Sequence, residues 1–262
     1  MLREQVLGLL GPGVHTVALE GSADLLALGW SDPPRARPEL RFQTSDGSFS
    51  RWVCAAPAGH EDSAGSVPRI VGEPLWTGGT RLVQLRSAHA VRGARLYAVD
   101  VSDGAGAARL AARAPAAESA AAEPLAAPVL AAGPGQPPII ARRAWAGGVS
   151  HPRVAPEYGA VEMAFVHHTE NPNGYSAAEV PAMLYAIYLY HRYVRGWKDI
   201  GYNFMIDAFG RIWEARAGGV DQAVGYVGAI ADPGGALRVG IVPGGQLAGH
   251  PADLLRRAGR LG

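Results

Sequence analysis

The stretch "GAGAARLAARAPAAESAAAEPLAAPVLAAGPGQPP", from Gly104 to Pro138, limits what this chain can fold into more than any motif it carries. It is dominated by Ala, Pro and Gly and has no aromatic residue. Such a segment cannot bury enough apolar surface to offset the entropy of ordering it. It reads as an extended linker, with a transient helix in "AARLAARA". The 262 residues therefore divide into a β-rich region over 1–103, the linker over 104–138, a mixed α/β region over 139–224, and a tail over 225–262. The chain is long enough for two domains, each with its own core.

Composition excludes several functions. The 24 basic side chains nearly balance the 23 acidic ones, for a net charge of +1, so there is no electrostatic footprint for nucleic acid or an anionic membrane. No apolar run reaches the length of a membrane span, about 18 residues. The start, "MLREQVLGLLGPG", has a short apolar stretch without an A-x-A-like site and makes an unconvincing signal peptide. The single cysteine, Cys54, excludes an internal disulfide or a CxxC knuckle, and its strand-like context "FSRWVCAA" predicts a buried, inert thiol.

From Val14 to Val101 the runs "VHTVALE", "LLALGW", "ELRFQ", "RWVCAA", "RLVQLRS" and "ARLYAVDV" alternate like strands and are separated by turn residues. Asp46-Gly47 is a hairpin signal, because both residues tolerate positive φ. Six strands without a helix predict an independently folding β-sandwich. His15, His60 and His89 are scattered and imply no site.

Past the linker, "VEMAFVHH" is a strand ending in His167 and His168. Side chains alternate along a strand, so these two face opposite ways. One is then a metal or catalytic group on a rigid edge, or both are ordinary strand-end polar residues. "SAAEVPAMLYAIYLYHRYVRGW" is a helix. Ser176 and Glu179 form a capping box, Pro181 sits in the first turn, and Val180, Met183, Leu184, Ile187, Tyr188, His191 and Val194 make its buried face until Gly196 ends it. "DIGYNFMIDAFGRIWEAR" is a hairpin turning near Phe209-Gly210, and Tyr202 taken alone reads as core, with its hydroxyl satisfied locally.

In order, "RRAWAGG", "FVHHTENPNGY", "YHRYVRGWKDIGYNF" and "DAFGRIWEARAGGV" resemble the peptidoglycan recognition protein family, whose fold is shared with zinc N-acetylmuramoyl-L-alanine amidases. The resemblance is to actinobacterial versions with a β-rich N-terminal region and an Ala/Pro linker, and it covers about Ile139 to Val224. It implies an α/β fold with a central mixed sheet and flanking helices. The implied enzyme is a secreted hydrolase of the bacterial cell wall, cleaving the amide between N-acetylmuramic acid and L-alanine. Carried over residue by residue, His167 matches the first zinc ligand and Tyr202 the catalytic tyrosine. His168, Thr169, His191, Trp197 and Arg216 match positions near the substrate groove. The implied partners are peptidoglycan and muropeptides, bound by a monomer in the extracellular space or wall. A catalytic zinc takes three protein ligands and a water whose pKa it lowers, and a nearby phenol stabilises the oxyanion.

The sequence departs from the family after Val224. The later histidine and cysteine ligands have no recognisable counterparts, and His250, in "LAGHPADLL", is the one candidate for a second ligand. The tail over 225–262 contains no Ser, Thr, Asn, Lys, Glu, Phe, Trp, Cys or Met, which reads as a frameshifted or divergent end. The family's later strand is then expected to be missing. A binding module without hydrolysis is the alternative to the amidase. The absence of HExxH argues against an unrelated zinc peptidase.

Overall fold

The computed structural model describes residues 1–31, 37–55, 70–102, 137–147, 152, 155–156, 158, 161–169, 171, 174–221 and 235–241. The linker up to 136 and His250 lie outside the described residues.

Seven strands form the first sheet: β1 (Leu2–Leu10), β2 (Gly13–Trp30), β3 (Glu39–Phe42), β4 (Val53–Cys54), β5 (Ile70–Val71), β6 (Leu75–Ser87) and β7 (Val91–Val99). They pair as one continuous sheet in the order β1–β7–β2–β6–β3–β4, with β5 on β2. β1 comes from the segment weighed above as a signal peptide; it is a strand paired antiparallel to β7. "VHTVALE" and "LLALGW" are one strand, β2, broken by a bulge between Ala18 and Ala23. At a second register shift, between Ala23 and Leu25, Gly78 and Gly79 of β6 take φ of 67° and 106°, which side-chain-bearing residues rarely adopt. Past the bend, Ala23–Trp30 is buried on both faces. Leu26, Leu28 and Trp30 join Leu40, Phe42, Val83, Leu85 and Leu96 in one core. The Asp46-Gly47 turn is present: the Thr44 N–H donates to Ser48 O at 2.8 Å, and Asp46 Oδ1 accepts from the Ser48 N–H at 3.0 Å. Cys54 corrects an expectation. It is exposed, because β4 is a two-residue strand at the sheet's edge.

The second sheet contains β8 (Ile139–Ile140), β9 (Val161–His168), β10 (Phe204–Ile206), β11 (Ile212–Glu214) and β12 (Gly235–Ile241), in the order β8–β11–β10–β12–β9. The β10–β11 pair is antiparallel and the other pairs are parallel, so the sheet is mixed. Asp207 closes the β10–β11 hairpin, accepting from the Arg211 N–H at 2.9 Å and from Trp213 Nε1–H at 2.8 Å. β12 corrects a second expectation. The tail supplies the strand thought to be missing, seated between β9 and β10. Apart from Arg238, its sequence, GALRVGI, mixes small and branched apolar residues, as an interior parallel strand does.

A short helix α1 (Arg143–Ala146) follows β8, and α2 (Val180–Leu189) continues into a π-helical turn, Tyr190–Val194. The Glu179 carboxylate accepts from the Ser176 N–H at 2.7 Å and from its hydroxyl at 2.8 Å, so only the acidic half of the capping box forms and α2 starts at Val180.

One hydrophobic cluster joins the two regions. Leu25, Ala27, Trp76, Tyr97 and Val99 of the first sheet pack with Trp145, Met183, Leu184, Ile187, Tyr190, Met205 and Trp213. α2 is therefore covered on more than the one face its periodicity suggested, with Ala186 and Tyr190 also buried. The first region shares one of its two cores with the second.

Candidate functional site

β9 ends at His168, and its register fixes where the paired histidines stand. His167 lies in the row of Gly240 in β12 and Met205 in β10; His168 lies in the next row, with Ile241 and Ile206. His168 is exposed, with its Nδ1 3.3 Å from Thr169 O. Thr169 and Asn171 turn inward and are buried. Thr169 Oγ1 accepts from Asn171 Nδ2 at 3.1 Å.

The other candidate residues gather at the end of α2. The π turn presents His191, buried at 2 % exposure, to the loop before β10. Its ring stacks on Trp197 at 4.5 Å and 27°, and lies 5.5 Å from the ring of Tyr202. The Gly201 N–H donates to His191 Nδ1 at 3.2 Å. A backbone N–H can only donate, so Nδ1 carries no proton and the ring proton sits on Nε2. Trp197 closes over the backbone so tightly that a Cβ at Gly201 would stand 2.5 Å from its ring. The Trp197 N–H donates to His191 O at 2.9 Å, fixing the loop to the turn. Tyr202 is buried in the shared core, beside α2.

Arg216 is buried, and its Nη1 donates to Ile200 O at 3.1 Å. It stands next to a buried ion pair that sequence reasoning missed. Asp199 accepts from Arg142 Nη2 at 2.8 Å, from the Ile200 N–H at 2.8 Å and from the Ala217 N–H at 3.0 Å. Arg142 also donates to Ala215 O and lies 4.8 Å over the Trp145 ring. This pair ties "RRAW", "KDIGY" and "EARAG" together. Its sequence signal was an acidic residue directly before the apolar Ile200 in "KDIG"; its arginine partner, 57 residues earlier, could not be located without the fold.

The structure thus brings His191, Trp197 and Tyr202 into one cluster, with Arg216 on the loop behind it. His168 and Thr169 occupy the strand-end loop, and His167 the row of Met205. Among the described residues no three His, Cys, Asp or Glu side chains converge as a metal site. Cys54 lies at the edge of the first sheet. The described donor set does not fit a catalytic zinc, which takes three protein ligands.

No family model matches the chain. Curated proteins do: it is 40% identical over 53 residues to "Peptidoglycan-recognition protein SC1a/b" of Drosophila simulans, covering 20% of this chain and 29% of that protein. It is 35% identical over 78 residues to "Peptidoglycan-recognition protein 1" of Holotrichia diomphalia, covering 30% of this chain and 39% of that protein. Its relatives are peptidoglycan recognition proteins. The chain spans between 29% and 42% of the length of the curated relatives it matches. Among solved structures, human PGRP-IβC, described in complex with glycosamyl muramyl pentapeptide, is 22% identical with a TM-score of 0.35, covering 47% of this chain and 71% of that one. No helix among the described residues is long and apolar enough to cross a membrane.

Proposed function

We propose that this chain recognises peptidoglycan through muropeptides, using the surface around the His191–Trp197–Tyr202 cluster and the His168–Thr169 strand end. The observation that carries the reading is the stack itself. An unprotonated Nδ1 held by the Gly201 N–H, under an indole that is only half-buried, is a rigid platform with a neutral imidazole at its base. Such a platform suits an uncharged acetylated sugar with an attached peptide, presenting ring faces to apolar edges and fixed polar groups to amides. Similarity to peptidoglycan recognition proteins supports the same ligand.

The finer reading, hydrolysis of the N-acetylmuramoyl–L-alanine amide, assigns His167 as first zinc ligand and Tyr202 as the catalytic phenol. A bound zinc would activate water and polarise the scissile carbonyl. Because the described donors do not complete such a site, recognition without turnover is the reading supported best, with His250 the residue on which the amidase reading depends. A partner of this kind implies a location in the extracellular space or the wall.

The test titrates full-length protein with a soluble N-acetylmuramoyl peptide, followed by tryptophan fluorescence. Saturable quenching that weakens at least tenfold in Trp197→Ala supports recognition; equal titration curves would refute the platform. Incubation with peptidoglycan, with and without a chelator, separates the two readings. Chelator-sensitive release of stem peptides together with one zinc per chain would establish the amidase.

A further inference from the structure

Two hydrogen bonds join the candidate site to the first sheet, and both end on one short segment. Asn171 Oδ1 accepts from the Trp76 N–H at 2.7 Å, in buried surroundings. The Tyr190 hydroxyl donates to Gly72 O at 2.8 Å, also buried. The orientation of the Asn171 amide follows from its partners. The Trp76 N–H can only donate, so the oxygen must face it, which leaves Nδ2 for Thr169 Oγ1 at 3.1 Å. Residues 72–76 can span no more than about 13 Å, so one short stretch pins both the loop after β9 and the π turn that carries His191.

The same stretch runs along α2. Two residues beyond it, a Cβ on Gly78 would lie 3.7 Å from the Glu179 carboxylate, at the start of the helix. Val71 and Trp76 are in the core shared with Met183, Leu184 and Ile187. Burial raises the Tyr190 hydroxyl far above its ordinary value, so it stays a donor at any working pH.

We propose that Asn171 is a positioning residue for the muropeptide site: through it, the Gly72–Trp76 segment of the first sheet sets the loop that follows His167 and His168, as Tyr190 sets the turn holding His191. This rests on the recognition reading above. In this arrangement the first region braces the site, and ligand affinity depends on a sheet that never touches the ligand.

The experiment uses the full chain and a soluble N-acetylmuramoyl-L-alanyl-D-isoglutamine probe, at a temperature where each variant is folded. Asn171→Leu keeps the branched shape and loses both bonds. Asn171→Asp keeps an acceptor for the Trp76 N–H and takes a hydrogen bond from the Thr169 hydroxyl. The expected result is at least a tenfold loss of affinity in Asn171→Leu with faster amide exchange at Trp76, and affinity and exchange both restored to within threefold in Asn171→Asp. Tyr190→Phe, which removes one oxygen and keeps the packing, should weaken binding severalfold, and it carries the test if Asn171→Leu does not fold. Parent-like affinity in Asn171→Leu despite faster Trp76 exchange would overturn the positioning role while leaving recognition standing. Equal losses in the Leu and Asp variants would overturn it too, by showing that the polar geometry is irrelevant. A parent protein that does not bind the probe would overturn both.

Discussion

Gly201 lacks a side chain where Trp197 needs the room. A methyl group there would sit 2.5 Å from an indole carbon, closer than real Cβ contacts allow. Gly201→Ala should push the ring off His191, costing about 1–3 kcal/mol of stability as overpacking does, measurable by urea unfolding, and muropeptide affinity should fall with it. In the first sheet, Asp46 is tuned by its turn. Hydrogen bonds from Thr44 and Ser48 hold its carboxyl down at about 2, against an ordinary 3.8. A depressed folded value means that its contribution is complete above the ordinary value and is lost as the pH falls from 3.8 toward 2. Comparing unfolding midpoints of the parent and Asp46→Ala between those limits should show the parent losing its advantage on acidification. A constant difference across that range would contradict the assignment.

Among the elements, α2 shows best what periodicity conveys and what it omits. Val180, Met183, Leu184, Ile187 and Tyr188 were legible as a buried face, and all are buried. Tyr190, in the π turn that follows, is bonded to Gly72 on the other side of the linker, which no local pattern encodes. The two hairpin turns were legible because Asp-Gly and Phe-Gly with a capping aspartate act locally. β12 was not: composition pointed to a meaningless tail, while the pairing of GALRVGI with β9 and β10 depends on partners more than 20 residues away. β1 was missed because an apolar start was weighed as a targeting signal. At the site, His191, Trp197 and Tyr202 were legible one by one from the family resemblance, whereas the Arg142–Asp199 pair and the Asn171–Trp76 bond join distant segments. The sandwiched α2 makes a quantitative prediction. Leu184→Ala, at a fully buried position, should cost about 2–5 kcal/mol. Because the cluster spans both regions, fluorescence and circular dichroism should report one coincident transition; two separated transitions would mean that the regions unfold apart.

The whole molecule is two sheets that share one core, with a second core inside the first region, joined by a segment whose sequence cannot bury one. Proteases should cut first between Gly104 and Pro138. Because the shared core holds the regions together without the linker, the two fragments should co-elute under native conditions and separate only in denaturant. Early cutting inside the strands, or fragments that part on dilution, would contradict the shared core. The central claim, that this chain recognises peptidoglycan at the His191–Trp197–Tyr202 surface, is tested most directly by co-sedimentation of the full-length protein with insoluble peptidoglycan. Protein should pellet in the parent, be released by an excess of soluble muropeptide, and stay in the supernatant for Trp197→Ala. Equal pelleting of parent and variant, or pelleting that soluble muropeptide does not reverse, would contradict it.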